Sequence, residues 1–257
     1  MSTARPIKSQ VVVISMENST ERRQRFAARA QQTPIAWEFF PAYTSLHPAL
    51  AYDETDALIA KGRTLSPGEL GCYSSHYAAW ESLLESPFDQ IVVLEDDVIA
   101  DWELIAKLAA FDLRQLNIGY LRLCYNVPVK STVVKRRFIN YNRRIVELFG
   151  FASGTQGYVI ARPAAKTMLE YCRRVRRPID DQMDSTWRHG IRNLSVFPFS
   201  VAEESADSAI GLERYKAHKM PASLRLRHLA DRYGTGFVIR AMRASHRLRR
   251  IVGRVEL

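Results

Sequence analysis

The sequence is poor in cysteine and has no long apolar run. Each shortage excludes something. Three cysteines stand far apart among 257 residues, Cys72, Cys124 and Cys172. They form no Cys-x-x-Cys pair and are odd in number, so neither a zinc ribbon nor a disulfide framework is signalled; reduced thiols in a cytosol are expected. No window of about 18 uncharged apolar residues exists, so no membrane-spanning helix is expected. The apolar run Val11 to Ile14 is closed by Glu17. It is shorter than the roughly 7 to 15 residues of a secretory h-region, and the expectation is a protein that stays in the cytoplasm. No internal repeat or low-complexity tract is visible. What remains is an ordinary globular composition, 47% hydrophobic and 25% charged, in a chain long enough for one large α/β domain or two small ones.

Charge is unevenly placed. Residues 221–257 hold nine arginines against Asp231 and Glu256, so +7 of the formal +10 lies in this tail. A nearly neutral body with a cationic tail points to one localised anionic partner. The division expected is a body over 1–217 and a basic, helical tail over 218–257.

The body opens with a buried strand over 10–15, then a helix whose capping-box spacing starts at Asn18 with Glu21 and which Pro34 stops, then a strand over 37–40. This β-α-β opening suits a doubly wound, nucleotide-binding half-domain. Residues 43–64 read as a loop region. Ser66, Pro67 and Glu69 form the cleanest helix start in the chain, with Leu70, Tyr73, Tyr77, Trp80 and Leu84 as its buried stripe. A central strand over 91–94 delivers Glu95-Asp96-Asp97 at its C-terminal end, the edge where open α/β sheets bind ligands. Further strands are expected at 120–124, 157–161 and 194–197, a basic loop at 130–137, and helices at 163–173 and 181–189.

Three consecutive carboxylates repel one another and call for a compensating cation. At a strand end they make a hard-oxygen site suited to magnesium or manganese, which in turn bridges a diphosphate. The competing reading is an acidic junction facing water.

Leu65-Ser66-Pro67-Gly68-Glu69-Leu70-Gly71-Cys72 with Ser75-His76, followed by Val93-Leu94-Glu95-Asp96-Asp97, resembles glycosyltransferase family 25, the lipopolysaccharide and lipooligosaccharide galactosyltransferase type. Val13 to Met16 with Ser19 and Arg22-Arg23, Gly154 to Ile160, and Pro178-Ile179-Asp180 extend the resemblance over about residues 10 to 211. It implies a GT-A-like, Rossmann-type fold, a UDP-sugar donor (usually UDP-galactose) and an inverting transfer. It places Glu95-Asp96-Asp97 where such enzymes carry their metal motif, with Asp97 as direct ligand of Mn2+ or Mg2+. Glu95 then serves the metal or, with Asp96, the ribose. One departure is visible: Ser15-Met16 stands where the family commonly shows Asn-Leu.

The remaining candidates carry two readings each. His76 is a satisfied core histidine or, with Glu69 and Ser75, a lining residue of the donor pocket. Arg22 and Arg23 are a solvated helix face or, with Ser15, contacts of the nucleotide diphosphate. Asp180 is a helix cap or the base that takes the acceptor hydroxyl's proton, with Asp181 as runner-up. Gln156, Gly157 and Tyr158, behind Gly154, form a plain turn or a sugar- and acceptor-recognition loop. In the tail Arg240, Arg243, Arg247, Arg250 and Arg254 recur at helical spacing, with Leu248, Ile251, Val252 and Val255 on another face. That pattern suits an anionic membrane surface on the inner face of the cytoplasmic membrane, where a lipid-linked oligosaccharide acceptor is presented. The same stripe could bind nucleic acid or fold against an acidic flank of its own domain. Two competing functions are a basic nucleic-acid-binding protein with a structural triplet and, less favoured, a metal-dependent phosphoesterase. Scarce tail aromatics weigh against single-strand stacking, and missing His/Asp clusters weigh against a two-metal esterase.

Overall fold

A computed structural model describes residues 5–204 and 220–251. They contain β1 (Ser9–Ser15), α1 (Thr20–Arg29), β2 (Glu38–Pro41), β3 (Ala51–Tyr52), α2 (Glu54–Lys61), α3 (Pro67–Glu85), β4 (Gln90–Glu95), β5 (Val98–Ala100) and α4 (Trp102–Ala109). There follow β6 (Tyr120–Arg122), β7 (Lys130–Arg136), β8 (Arg144–Phe149), β9 (Gly157–Ala161), α5 (Arg162–Cys172), β10 (Arg174–Val175), α6 (Ile179–Met183), α7 (Thr186–His189), β11 (Leu194–Phe197), β12 (Val201–Glu203) and α8 (Ala222–Ile251).

Among the described residues the main sheet has eight strands in the order β2-β1-β4-β9-β6-β11-β8-β7. β1 runs parallel to both β2 and β4, β9 runs antiparallel between β4 and β6, and β8 and β7 close one edge antiparallel. The sheet is therefore mixed. Strand periodicity divides its side chains between two cores. Val11, Val13, Val92 and Leu94 face α1 and α4, where Phe26, Trp37, Phe39 and Trp102 interlock edge to face. Val12, Ile14, Ile91 and Val93 face the other way, onto Tyr73, Tyr77, Trp80 and Met168 of α3 and α5.

α3 begins as its sequence demands. Ser66 caps Glu69 N–H, Glu69 caps Ser66 N–H in return, and Pro67 occupies the first turn. Its burial runs wider than a single stripe, because Ser74, Ser75, His76, Ala78 and Ala79 are buried too. Gly71 makes this possible: a Cβ there would meet the Tyr43 carbonyl oxygen at 2.5 Å.

Several expectations need correcting. The first helix is entered through Ser19, and no side chain caps it. The region 43–64 holds α2, capped by Asp53 onto Asp56 N–H and closed by left-handed Gly62. The supposed basic loop at 130–137 is edge strand β7, whose Thr132 and Val134 turn inward while Lys130 and Arg136 stay in solvent; lysine on an edge strand also discourages pairing with another chain. The helix expected over 181–189 is two short ones, α6 and α7, broken after Asp184.

The tail helix α8 lies against the body. His228 Nδ1 sits 2.9 Å from the Ile59 carbonyl, Arg177 donates to Asp231 at 2.5 Å, and Arg243 donates to the Phe149 carbonyl at 2.6 Å. Arg243 is thus spent on the domain, and the expected cationic stripe is interrupted. The side chains of 248–251, and residues 252–257 with Arg254 and Val255, lie outside the described residues.

Candidate active site

The parallel pairing of β1 with β4 sets Ile14 beside Glu95, so both strands deliver their ends to the same edge. Ser15 and the acidic triplet become neighbours for that reason. Ser15 Oγ donates to Asp96 at 2.7 Å, and Arg23 donates to Ser15 Oγ at 3.1 Å. Arg22 bridges the two aspartates, 2.8 Å from Asp96 and 2.5 Å from Asp97. The remaining oxygen of Asp97, Oδ1, is buried without a partner. Burial first, and then the charge of Glu95, push the Asp97 carboxyl up to about 6 in spite of Arg22.

Glu95 behaves differently. Burial pushes its carboxyl up, but hydrogen bonds from His76 and Thr155 outweigh this and hold it below the ordinary range. Thr155 Oγ1 donates to Glu95 at 2.6 Å, and His76 Nε2 lies 3.4 Å from the same oxygen.

α3 forms the second wall. Glu69 accepts two hydrogen bonds from Arg63, at 2.8 and 2.6 Å, and burial competes with that pairing to leave its carboxyl somewhat lowered. Ser75 Oγ accepts from Tyr43 N–H at 2.8 Å and donates to the Gly71 carbonyl at 2.7 Å. Ser75 therefore pins the 43–44 loop to the helix.

The third wall is the 152–156 loop with α6. Gly154, in the left-handed region at φ 92°, donates its N–H to Asp180 at 3.0 Å. Beneath the loop lies an ion pair that leaves no signature in the sequence. Arg122 and Asp184 meet at 2.6 Å with side chains 1% and 0% exposed. Arg122 also donates to the carbonyls of Ser153 and Gly154, while Asp184 accepts from the N–H groups of Ala152 and Ser153. A buried charge pair persists when further hydrogen bonds satisfy it, and here those bonds fix the loop that holds Asp180. Burial, then the charge of Asp181, raises the Asp180 carboxyl above its usual range.

Together these walls enclose an open cleft of about 410 Å³ at the C-terminal edge of β1 and β4. Of the residues singled out in the sequence, Ser15, Arg22, Glu69, Ser75, His76, Glu95, Asp96, Asp97, Gln156 and Asp180 all line it. Four do not. Arg23 stacks on the Phe39 ring 4.6 Å away and reaches the cleft only through Ser15. Asp181 turns away into a short ion pair with Lys61. Gly157 is buried under Val201 and Leu94, and Tyr158 is fully buried. The Tyr158 hydroxyl accepts from Trp80 at 2.8 Å and pairs with His76 Nδ1 at 3.0 Å, so it supports the site from below. Thr155, Asn126, Cys72 and Glu203 also line the cleft. Of these, Cys72 and Thr155 sat inside motifs visible in the sequence, whereas Asn126 and Glu203 did not.

An α/β protein with this cleft and acidic cluster matches known proteins over the same residues. The sequence model of glycosyltransferase family 25, described as LPS biosynthesis protein, matches residues 8–183, and the chain belongs to that family. It is 27% identical over 195 residues to the lipooligosaccharide biosynthesis protein lex-1 of Haemophilus influenzae, covering 64% of this chain and 64% of that protein. It is 30% identical over 169 residues to the lacto-N-neotetraose biosynthesis glycosyltransferase LgtE of Neisseria meningitidis serogroup B, covering 62% of this chain and 59% of that one. The chain thus spans less than two thirds of the length of these relatives. A solved glycosyltransferase involved in glycosylation of the major capsid of PBCV-1 aligns over 75% of this chain and 71% of its own, with 10% identity and a TM-score of 0.32.

Proposed function

We propose that the chain is an inverting, GT-A-like glycosyltransferase that moves a hexose, galactose in the first instance, from a UDP-sugar to a lipopolysaccharide or lipooligosaccharide acceptor. The observation that carries this reading is the cleft itself. One wall offers Arg22 and the acidic triplet, and the facing wall offers a positioned carboxylate, Asp180.

A divalent cation fits the residues present. The buried, unpartnered Oδ1 of Asp97 and its carboxyl raised to about 6 mark negative charge that Arg22 compensates only in part. Asp97 would hold Mn2+ or Mg2+ with help from Glu95 and Asp96, and the ion supplies charge neutralisation for a departing diphosphate. Arg22, already turned to the triplet, orients anionic oxygens there. Asp96, held by Ser15 and Arg22, is assigned to the donor's hydroxyls. Gln156, which lines the cleft from the loop braced by Arg122, is assigned to the sugar.

Asp180 takes the proton of the acceptor hydroxyl as the new glycosidic bond forms and the UDP bond breaks. Its raised carboxyl suits a base at neutral pH better than an ordinary aspartate. Asp181, tied to Lys61 and outside the cleft, does not serve as alternative base.

The acceptor's setting is read from α8. Leu226, Leu229, Tyr233 and Phe237 recur along one face and are 78%, 40%, 72% and 70% exposed. Arg225, Arg232 and Arg240 beside them are exposed as well. An apolar, aromatic face with arginine flanks fits the interface of an anionic membrane. This face replaces the arginine stripe as the contact with the inner leaflet, and nucleic acid is not the partner proposed. The test is calorimetric binding of UDP-galactose and UDP-glucose with and without Mn2+, followed by transfer to a lipooligosaccharide acceptor.

A further inference from the structure

Cys72 and His76 stand one turn apart on α3, so their side chains share a face. That face meets the end of β4. The Cys72 thiol, a His76 ring nitrogen and a Glu95 carboxylate oxygen all lie within 4.8 Å of one another. Nothing in the donor-binding scheme uses the thiol. The fold also spends contacts on aiming the imidazole: Nδ1 is held 3.0 Å from the Tyr158 hydroxyl, which is itself anchored by Trp80 Nε1–H at 2.8 Å. This leaves Nε2 as the nitrogen that looks at Glu95, 3.4 Å away. Fixing one ring nitrogen so that the other presents a defined lone pair is how proteins prepare a ligating histidine. Thr155 does the same for the carboxylate, donating to Glu95 at 2.6 Å.

We propose that Cys72, His76 and Glu95 form a second cation site, selective for zinc-class ions and distinct in chemistry from the oxygen-only triplet. One sulfur, one nitrogen and one oxygen make a borderline-soft donor set that suits Zn2+ or Cd2+ and is a poor match for Mg2+ or Mn2+. Three protein ligands leave a fourth position, and the cleft supplies the opening for it, because all three residues line its wall. Binding replaces the thiol proton, which leaves to solvent, with a sulfur–metal bond. It also displaces the Nε2 proton that His76 gives to Glu95 in the metal-free protein; that proton shifts to Nδ1, where it is donated to the Tyr158 hydroxyl. Glu95 belongs to both sets. Occupancy of the soft site therefore withdraws Glu95 from the triplet and antagonises the nucleotide; this consequence, unlike the site, rests on the proposed function.

The test uses the full chain, freed of adventitious metal and titrated with Cd2+ while the ultraviolet sulfur-to-cadmium charge-transfer band is recorded. Zn2+ affinity is measured in parallel by competition with a chromogenic chelator. The expected result is one Cd2+ per chain with a band that Cys72→Ser abolishes, and a Zn2+ affinity that falls about 10-fold or more in Cys72→Ser and His76→Gln. Cys124→Ser, which alters a thiol outside the triad, should keep both signals. Because His76 is buried, each variant's melting curve is recorded, and Cys72→Ser alone decides the outcome if His76→Gln does not fold. A wild-type chain without the band, or Cys72→Ser retaining wild-type Zn2+ affinity, overturns the site. Manganese-dependent UDP binding that persists unchanged under saturating Zn2+ overturns the antagonism. Absent UDP binding beside an intact cadmium band sinks the proposed function instead.

Discussion

Asp97 concentrates the chemistry at the scale of single residues. Its carboxyl is raised to about 6 because burial and Glu95 outweigh Arg22, so the folded state holds a proton there that the unfolded chain has already lost. Two consequences follow with opposite signs. Stability of the cation-free protein falls as pH rises from the ordinary aspartate range through 6, since the unfolded state releases that proton first. Cation-dependent nucleotide binding needs the charged form, so it should weaken as pH drops below about 6. Isothermal titration of UDP with Mn2+ between pH 5 and 8 checks the second, and pH-resolved melting of wild type beside Asp97→Asn checks the first; the variant's curve should be flatter. Asp180→Asn should lower turnover by about 10²-fold or more while leaving UDP affinity near wild type. Parental turnover in that variant would place the base elsewhere. The triplet and Asp180 were legible in the sequence because acids at a strand end and in a turn stand out. The Arg122–Asp184 pair was not, since a lone arginine in an apolar strand discloses neither its burial nor a partner 62 positions away.

Among the elements, α3 decides where the site is built. Its cap, first-turn proline and hydrophobic spacing were readable in advance, and the helix starts where they said. Its tight seat against the 43–44 loop was not readable, because that depends on Gly71 meeting the Tyr43 carbonyl. Gly71→Ala should therefore destabilise the fold by roughly 1–3 kcal/mol, the usual cost of forcing a methyl group into a filled space. Denaturant unfolding measures this, and an unchanged midpoint would show that the loop yields freely. The elements missed in sequence share a cause. α2 sits in a region whose Pro48 and Gly62 look like loop punctuation, and β7 hides its alternation under lysine and arginine. Period and punctuation report local preference, whereas an edge strand is stabilised by the partner it finds.

On the scale of the whole molecule, the tail is both a buttress and a proposed contact surface. Asp231 accepts from Arg177 and Arg188, so α8 supplies a counter-charge to two cations of the body. Deleting 221–257 should consequently lower the melting temperature as well as membrane attachment, which makes truncation a poor probe of either alone. Leu226→Ser with Tyr233→Ser and Phe237→Ser is the cleaner probe, because these side chains point outward. That triple variant should keep its melting temperature and its UDP affinity but lose sedimentation with anionic vesicles. Full retention on vesicles would move the contact away from this face. The net +7 of the tail raised the expectation of an anionic partner, but which face would meet one depends on which arginines the domain consumes, Arg243 among them.

The cleft at the ends of β1 and β4 is proposed to bind a UDP-sugar through a divalent cation held at Asp97. Calorimetric titration of UDP-galactose into wild type and Asp97→Asn, each with and without Mn2+, tests it most directly. The expected result is one site per chain whose affinity requires Mn2+ in wild type, and no manganese-dependent binding in the folded variant. Equal affinity in all four titrations, or manganese-dependent binding that survives Asp97→Asn, would contradict it.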